Sequence, residues 1–452
     1  MQQARLIPVS GIGSVVEAEQ RATSALLAVL SIVRDLSIEL LSPLGASRAQ
    51  RAEVEAYTEV GFQYGKQKIR PDGLIRVTFG KSSWSTLVEI KTGDHTLSAD
   101  QVNQYWDVAR ENGIDHVLTI SNEIAPNEDI HPTPGLKVRS NSKVGVTHLS
   151  WTAILTTAVR LKQHAGVSDS EQAWILGELI RYLEHPKSGA LAFEDMGPEW
   201  VTIRDAARSG TLTKRTDGVE DVCARWDQLV RFAALKLGSE IGEDVAEVLT
   251  RSHRDPKQRL AYLVGAVISN GVLDGALRIP NTAGDLEVTA DLRAQHLTAA
   301  IEVTAPQDKG AKGRISWLVS HLKDAPRSLV VEAYPKNART PTSATLTAVD
   351  GDRGLLIGED RKEAHKFRVV MHGEMGKGRK TGTKSTDFIT SVVSLIDDFY
   401  GNVVQNITTW QPPAPKLNKP LMIPSSLGGD ADDYDELPIS PQPPPPWSQD
   451  MD

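Results

Sequence analysis

Two neighbouring segments of the chain combine charged side chains with the alternation typical of β-strands. Asp72 begins the segment "DGLIRVTF", and Glu89 and Lys91 lie in the otherwise apolar segment "STLVEIK". The short polar stretch "GKSS" between them predicts that the two segments pair as a hairpin. Removing a charge from water is costly unless a partner compensates it. Two acids and an amine on one half-buried hairpin therefore predict a built site.

The segments around this hairpin predict an α/β domain. Apolar residues at helical spacing predict a helix from Ser14 to about Leu44, and alternation predicts a strand over Glu53–Phe62. After the hairpin, the sequence predicts a helix from Ser98 to Gly113 and then a buried strand over Asp115–Asn122. The predicted order is helix, three strands, helix, strand.

Composition narrows the class of protein. The chain has 452 residues, a net charge of −8 and a single cysteine, Cys223. The net charge gives no overall basic field, so binding to nucleic acid would need a local patch. One cysteine makes neither an internal disulfide nor a cysteine-rich zinc site, and no apolar run is long enough to span a membrane. We therefore expect a soluble cytoplasmic protein.

The charges on the hairpin suit the hydrolysis of phosphodiester bonds with a hard divalent cation. Glu89 and Lys91 are two residues apart and share one face of their strand, and Asp72 can project toward the same edge from the paired strand. Mg²⁺ takes carboxylate oxygens and phosphate as ligands and activates water. A lysine beside the metal orients that water, stabilises the developing charge or, with a lowered pKa, helps to take its proton.

Three motifs on these elements resemble a known family. "RPDG" at 70–73, "VEIK" at 88–91 and "QVNQY" at 101–105 resemble the PD-(D/E)XK nuclease superfamily, the last in its RecB-like QxxxY branch. The resemblance covers residues 14–125 and implies a restriction-endonuclease-like α-β-β-β-α-β core. No upstream histidine of the kind that many RecB-like enzymes add is present, which leaves the subfamily open.

The resemblance also implies roles for individual residues. Asp72, Glu89 and Lys91 would be catalytic, and Gln101 and Tyr105 would contact the substrate strand or steady the site. The implied ligands of Mg²⁺, with Mn²⁺ as a substitute, are Glu19, Asp72, Glu89 and Ile90. Glu19 is preferred over Glu17 because Glu19 shares a helix face with the apolar stripe, whereas Glu17 is placed to form a capping box with Ser14.

The remainder of the chain divides by composition. The predicted domains are a nuclease-like domain at 1–150, a helical connecting region at 151–265, an α+β C-terminal domain at 266–410 and a proline-rich acidic tail at 411–452. The tail holds 11 prolines from Pro412 onward, which predicts disorder because such a segment buries little apolar surface. Its polyproline run is alternatively a ligand for an aromatic groove on a partner.

A second pair of acids has the same separation. Asp285 and Glu302 are 17 residues apart, as Asp72 and Glu89 are, but Thr304 stands where the lysine would be. The preferred interpretation is a hairpin whose spacing coincides, and the alternative is a decayed second nuclease-like unit. We assign no catalysis to it.

A basic stretch lies near the end of the C-terminal domain. Within the glycine-rich end of residues 361–385, phosphate contacts are predicted for Lys377, Arg379, Lys380 and Lys384. An exposed, solvated loop is an equal alternative.

Two functional hypotheses follow. The first is a Mg²⁺-dependent endonuclease that hydrolyses DNA in bacterial antiviral defence or DNA processing. The second is a catalytically inactive, nuclease-like DNA-binding or scaffold subunit of a larger complex. The expected partner is DNA, with protein partners through the C-terminal half and the tail and homo-oligomer formation as further expectations. No membrane is expected.

Overall fold

Helices and two main β-sheets make up the chain, so the expected mixed α/β class is confirmed. The computed structural model describes residues 5–93, 95–125, 130–137, 142–190, 193–358, 363–381 and 387–411. These residues belong to one compact unit, Met1–Gln411. Lys384 and the predicted disordered tail lie outside the described residues.

The α-helices of the described residues alternate with the strands along much of the chain. They are α1 (Val15–Ile32), α2 (Arg34–Leu41), α3 (Ala99–Glu111), α4 (Trp151–Arg160), α5 (Ser170–Leu183), α6 (Trp200–Ser209), α7 (Val219–Ile241), α8 (Pro256–Asn270), α9 (Ala311–His321), α10 (Leu346–Gly351) and α11 (Phe388–Asn402).

The first group of strands comes from the N-terminal part of the chain. It comprises β1 (Glu53–Thr58), β2 (Phe62–Tyr64), β3 (Gln67–Ile69), β4 (Gly73–Phe79), β5 (Ser82–Ile90), β6 (His116–Ser121) and β7 (Gly145–Ser150). The second group comprises β8 (Ala246–Glu247), β9 (Val272–Arg278), β10 (Leu286–Asp291), β11 (His296–Thr304), β12 (Val330–Pro335), β13 (Thr342–Thr345) and β14 (Ala364–Glu374).

The first sheet has the order β1-β4-β5-β6-β7. Strands β1, β4 and β5 are antiparallel neighbours, whereas β6 pairs parallel to β5 and β7 parallel to β6. The predicted sequence of helix, three strands, helix and strand is therefore present as α1, β1, β4, β5, α3 and β6. The small β2–β3 hairpin is inserted between β1 and β4.

The first helix begins as predicted and ends earlier. Ser14 and Glu17 form the expected capping box at its start. Val33 adopts an extended conformation, so the segment predicted as one helix to Leu44 is two helices, α1 and α2. Val33 is fully buried, and the break lets both helices pack against the same core.

The second sheet is antiparallel throughout, in the order β13-β12-β14-β11-β10-β9-β8. The sequence pattern over residues 361–385 was interpreted only as a basic stretch. Strand β14 instead lies in the middle of this sheet. Its residues alternate between buried apolar side chains such as Phe367 and Val369 and more exposed charged ones such as Lys366 and Arg368.

The buried side chains form separate hydrophobic clusters. Two clusters cover the faces of the first sheet, one with α1, α2, α4 and α5 and the other with α3. A larger cluster extends from Met196 to Ile407 and includes helices α6 and α7 together with the second sheet. The residues predicted to form a helical connecting region thus contribute to the cores of both parts. Among the described residues, no helix is long and apolar enough to cross a membrane.

Candidate active site

The hairpin of β4 and β5 places Asp72 beside Glu89. The pairing of β4 with β5 ends with Gly73 opposite Val88. The next residue on each strand beyond this pair is Asp72 and Glu89, so these two lie opposite each other. Both share the sheet face of Leu87, which α3 covers. Gly73 lets α1 approach closely, because a Cβ there would lie 2.6 Å from Leu27 Cδ1.

Three acidic side chains and one lysine meet at this edge of the sheet. Lys91 Nζ donates to Glu89 Oε1 at 2.6 Å and to Glu19 Oε1 at 3.3 Å. It also lies 3.2 Å from the carbonyl oxygen of Ile90. Asp72 Oδ2 accepts a hydrogen bond from the backbone N–H of Ile90 at 2.7 Å. Helix α1 and the hairpin therefore bring together the four residues that the sequence predicts as metal ligands.

Helix α3 holds the buried glutamate in place. Gln101 Nε2 donates to Glu89 Oε1 at 2.6 Å and lies 3.0 Å from the Tyr105 hydroxyl. The two residues are one helical turn apart, so both reach the same point from one face of α3. Tyr105 is buried, and burial together with nearby Glu89 raises its pKa. Of the two roles predicted for this pair, steadying the site matches these contacts.

Two residues that the sequence analysis did not predict, His95 and Trp151, also contact the site. His95 Nδ1 lies 3.5 Å from Glu19 Oε2, with its ring half exposed. The buried Trp151 donates its indole N–H to the carbonyl oxygen of Lys91 at 2.9 Å and fixes the backbone there. His95 lies four residues after Lys91, so a pattern of nearby residues could have included it. Trp151 lies 60 residues after Lys91, and only the packing of α4 brings it to the site.

Burial makes the two central acids reluctant to ionise together. The Glu89 side chain is 2% exposed, and burial with the neighbouring Asp72 carboxylate raises the pKa of Glu89 to about 7. The pKa of Asp72 is also raised, first by burial and then by Glu19, against the opposing hydrogen bond from Ile90 and the charge of Lys91. Near neutral pH, Glu89 is therefore only partly ionised beside Asp72.

Lys91 is protonated in this arrangement. Burial by itself would lower the pKa of its amine, but Glu89, Asp72 and Glu19 together raise that pKa above its ordinary value. The proton-accepting role, which needs a lowered pKa, does not fit this state. An ammonium group that orients a water or stabilises negative charge does fit.

The donor set is of the kind that a hard divalent cation takes. Carboxylate and carbonyl oxygens are available from Asp72, Glu89, Glu19 and Ile90, and Glu89 Oε2 is buried without a hydrogen-bond partner among the described residues. Yet, within the part of the chain that the structure describes, no three histidine, cysteine or acidic side chains are grouped to hold a metal ion. The acids here are directed at Lys91 and at the Ile90 N–H, so shared coordination requires these side chains to turn.

Two of the predicted phosphate contacts in the C-terminal loop, Arg379 and Lys380, already pair with a carboxylate. Asp195 lies 3.3 Å from Arg379 Nε and 3.7 Å from Lys380 Nζ. The carbonyl of Lys377 accepts a hydrogen bond from Arg204. Phosphate contact by Arg379 or Lys380 stays a prediction, and a phosphate would have to compete with the Asp195 carboxylate for these side chains.

The second pair of acids does not converge on a cation site. Asp285 pairs with Arg278 at 2.9 Å, and Glu302 pairs with Lys366 at 2.7 Å. Strands β10 and β11 form an ordinary antiparallel hairpin. These contacts favour the interpretation of a hairpin whose spacing coincides.

Comparison with known proteins adds no assignment. No protein-family model matches the chain, and no curated protein or solved structure matches it either. The geometry of the site is therefore the basis on which function is proposed.

Proposed function

We propose that the chain is a Mg²⁺-dependent nuclease that hydrolyses phosphodiester bonds of DNA at the Asp72–Glu89–Lys91 site. The observation that carries the proposal is that Glu89 and Glu19 both contact the half-buried ammonium group of Lys91, while Asp72 is held at the same edge by the Ile90 N–H. The order of α1, β1, β4, β5, α3 and β6 supports it, since the PD-(D/E)XK superfamily uses the same core topology.

The residues of the chain divide the chemical work. Asp72, Glu89 and the Ile90 carbonyl would hold Mg²⁺, which when bound supplies polarisation of the phosphoryl group and a water of lowered pKa. Protonated Lys91 places a positive charge where the phosphoryl oxygens gain negative charge in the transition state. Gln101, which donates to Glu89 and contacts Tyr105, would limit how far the Glu89 side chain turns when it coordinates the cation.

The decisive experiment is a cleavage assay with purified protein. Supercoiled plasmid and linear DNA are incubated with and without Mg²⁺, beside Asp72→Ala and the matched surface variant Asp285→Ala. We expect Mg²⁺-dependent cleavage by the parent and by Asp285→Ala, and none by Asp72→Ala. Equal cleavage by Asp72→Ala would place the activity elsewhere. RNA in a parallel reaction separates the two nucleic acids.

One observation favours the second hypothesis, a non-catalytic DNA-binding or scaffold subunit. Lys91 already neutralises part of the acid cluster, so part of the charge that a cation would balance is balanced without one. In that case the protein binds DNA but takes up no Mg²⁺ in calorimetry and cleaves nothing. A cytoplasmic location, a role in defence or DNA processing, protein partners and homo-oligomer formation stay predictions.

A further inference from the structure

A polar cleft borders the candidate site at Asp72. It has a volume of about 320 Å³ and is lined by Gln20, Thr23, Ser24, Thr58, Glu59, Arg70, Pro71 and Asp72. Because Asp72 belongs both to the cleft and to the acid cluster, a molecule in the cleft touches the site directly.

The elements that build the site also build this cleft. Strands β1 and β4 pair up to Thr58 opposite Gly73, and the Glu59 N–H then donates to the Asp72 carbonyl at 3.3 Å. On α1, Gln20 and Ser24 are one turn apart and directly follow Glu19 and Thr23. The cleft is thus fixed to the site by rigid backbone.

The lining offers hydrogen-bond donors and one cation. Gln20, Ser24 and Thr58 are exposed, and their side chains make no hydrogen bond to another described residue. Arg70 is paired with Glu59 at 3.3 Å, but both side chains are more than half exposed. Exposed ion pairs of this kind contribute about 1 kcal/mol or less. A phosphate can therefore displace Glu59 from Arg70 at little cost.

A second cleft beside the site has four acidic lining residues, whereas the Arg70 cleft has two, Glu59 and Asp72. This cleft of about 410 Å³ includes His95 and Arg225, and its acidic lining residues are Glu123, Glu194, Asp195 and Asp221. Four carboxyl groups disfavour a polyanion on that side. Of the two clefts, the one at Arg70 is chemically suited to a nucleic-acid backbone.

We propose that the Arg70 cleft binds the phosphodiester next to the scissile one, with Arg70 as the phosphate contact and Gln20, Ser24 and Thr58 as neutral donors. This inference rests on the proposed nuclease function and names where the substrate strand lies. Phosphate contacts of this kind position a strand without reading its bases. The cleft therefore contributes affinity without sequence preference.

The chain offers a matched control for Arg70. Arg76 lies on β4, is 48% exposed and pairs with Glu55 at 3.8 Å, much as Arg70 is 54% exposed and pairs with Glu59. Arg76 does not line the Arg70 cleft. A loss of general positive charge would affect both variants alike, whereas the proposal affects only Arg70.

The test is binding of a fluorescein-labelled 12-nucleotide single strand in EDTA, followed by anisotropy over a salt series. We expect Arg70→Ala to raise Kd about fivefold to tenfold and to flatten the slope of log affinity against log salt by about 0.7. Arg76→Ala should stay within about twofold of the parent. Glu59→Gln should tighten binding about twofold, and Glu55→Gln should not.

The outcomes separate this inference from the proposed function. Equal effects of Arg70→Ala and Arg76→Ala, or no binding by the parent, overturn the cleft. Mg²⁺-dependent plasmid cleavage with binding that is independent of Arg70 keeps the nuclease and removes the cleft. Binding that depends on Arg70, with no cleavage of the plasmid, keeps the cleft as a phosphate site and removes the proposed nuclease activity. Arg70→Gln and circular dichroism melting of each variant exclude an effect of misfolding.

Discussion

Two hairpins of this protein place an aspartate and a glutamate in the same relative position. Asp72 and Glu89 are the next residues beyond the paired Gly73 and Val88 at the end of the β4–β5 ladder. Asp285 and Glu302 are likewise the next residues beyond the paired Leu286 and Ile301 of β10 and β11. The Glu89 side chain is 2% exposed, whereas that of Glu302 is 41% exposed. The same spacing thus produces a buried cluster in one sheet and two surface ion pairs in the other.

The neighbouring elements explain the difference. Strand β5 pairs with β6 on the side away from β4. Helices α1 and α3 bring Glu19 and Gln101 to the end of the hairpin. Strand β11 instead has β14 as its neighbour, which supplies Lys366 to Glu302 across the sheet. The first pair of acids is part of a site because α1 and α3 pack at its end of the hairpin and because Lys91 contacts both Glu89 and Glu19.

The largest expected effect concerns the lysine that only the first hairpin has. Lys91→Ala should lower single-turnover DNA cleavage by about 10²- to 10³-fold and leave DNA binding within a few fold, because its charge acts in the transition state. Lys366→Ala, which removes the corresponding surface ion pair, should cleave like the parent. Cleavage by Lys91→Ala at the parent rate would assign this lysine to structure alone.

A second effect concerns the cation. Calorimetry should show Mg²⁺ or Mn²⁺ binding that Asp72→Ala or Glu89→Ala weakens at least about tenfold, because each removes a carboxylate ligand. Glu302→Ala should bind as the parent does. Since the pKa of Glu89 is raised to about 7, protons compete with the cation, and affinity should fall up to about tenfold per unit as pH decreases below 7. Affinity that is constant from pH 5.5 to 8 would exclude Glu89 as a ligand.

A third effect concerns the stability of the metal-free protein. Burial and Asp72 raise the pKa of Glu89 from 4.5 to about 7. The folded state therefore holds this proton more tightly, and the resulting stability is complete below pH 4.5 and is lost as pH rises through 7. Glu89→Gln should remove this pH dependence, on the order of 1–3 kcal/mol in the free energy of unfolding. Denaturation at pH 5 and pH 8 measures it, and Glu302→Gln should keep the dependence of the parent.

The smallest effect concerns the stability of the second hairpin. Lys366→Ala should change the free energy of unfolding by less than about 1 kcal/mol, because the Lys366–Glu302 pair is well exposed to solvent. Urea denaturation of parent and variant is sufficient. A loss of several kcal/mol would mean that the two hairpins are more alike in their energetics than their exposure indicates.

Local patterns in the sequence were sufficient for the centre of the first sheet, whereas the predicted strand Glu53–Phe62 ends at Thr58 in the structure. The capping box of Ser14 and Glu17, the β4–β5 hairpin and helix α3 follow from short-range rules of periodicity, turns and caps. The alternation of strand residues also put Glu89 and Lys91 on one face. These features depend on residues that are close in sequence, so the sequence by itself determined them.

Other features depended on contacts between distant residues. The break at Val33 serves packing of α1 and α2, and the charged residues Lys366 and Arg368 of strand β14 pair with Glu302 and Glu287 across the sheet. The protonated state of Lys91, the contact of Trp151 and the Arg70 cleft likewise arise where separate segments meet. Burial and charge pairing are properties of the assembled neighbourhood, so only the tertiary structure decided that Glu89 is buried beside Lys91 whereas Glu302 is exposed beside Lys366.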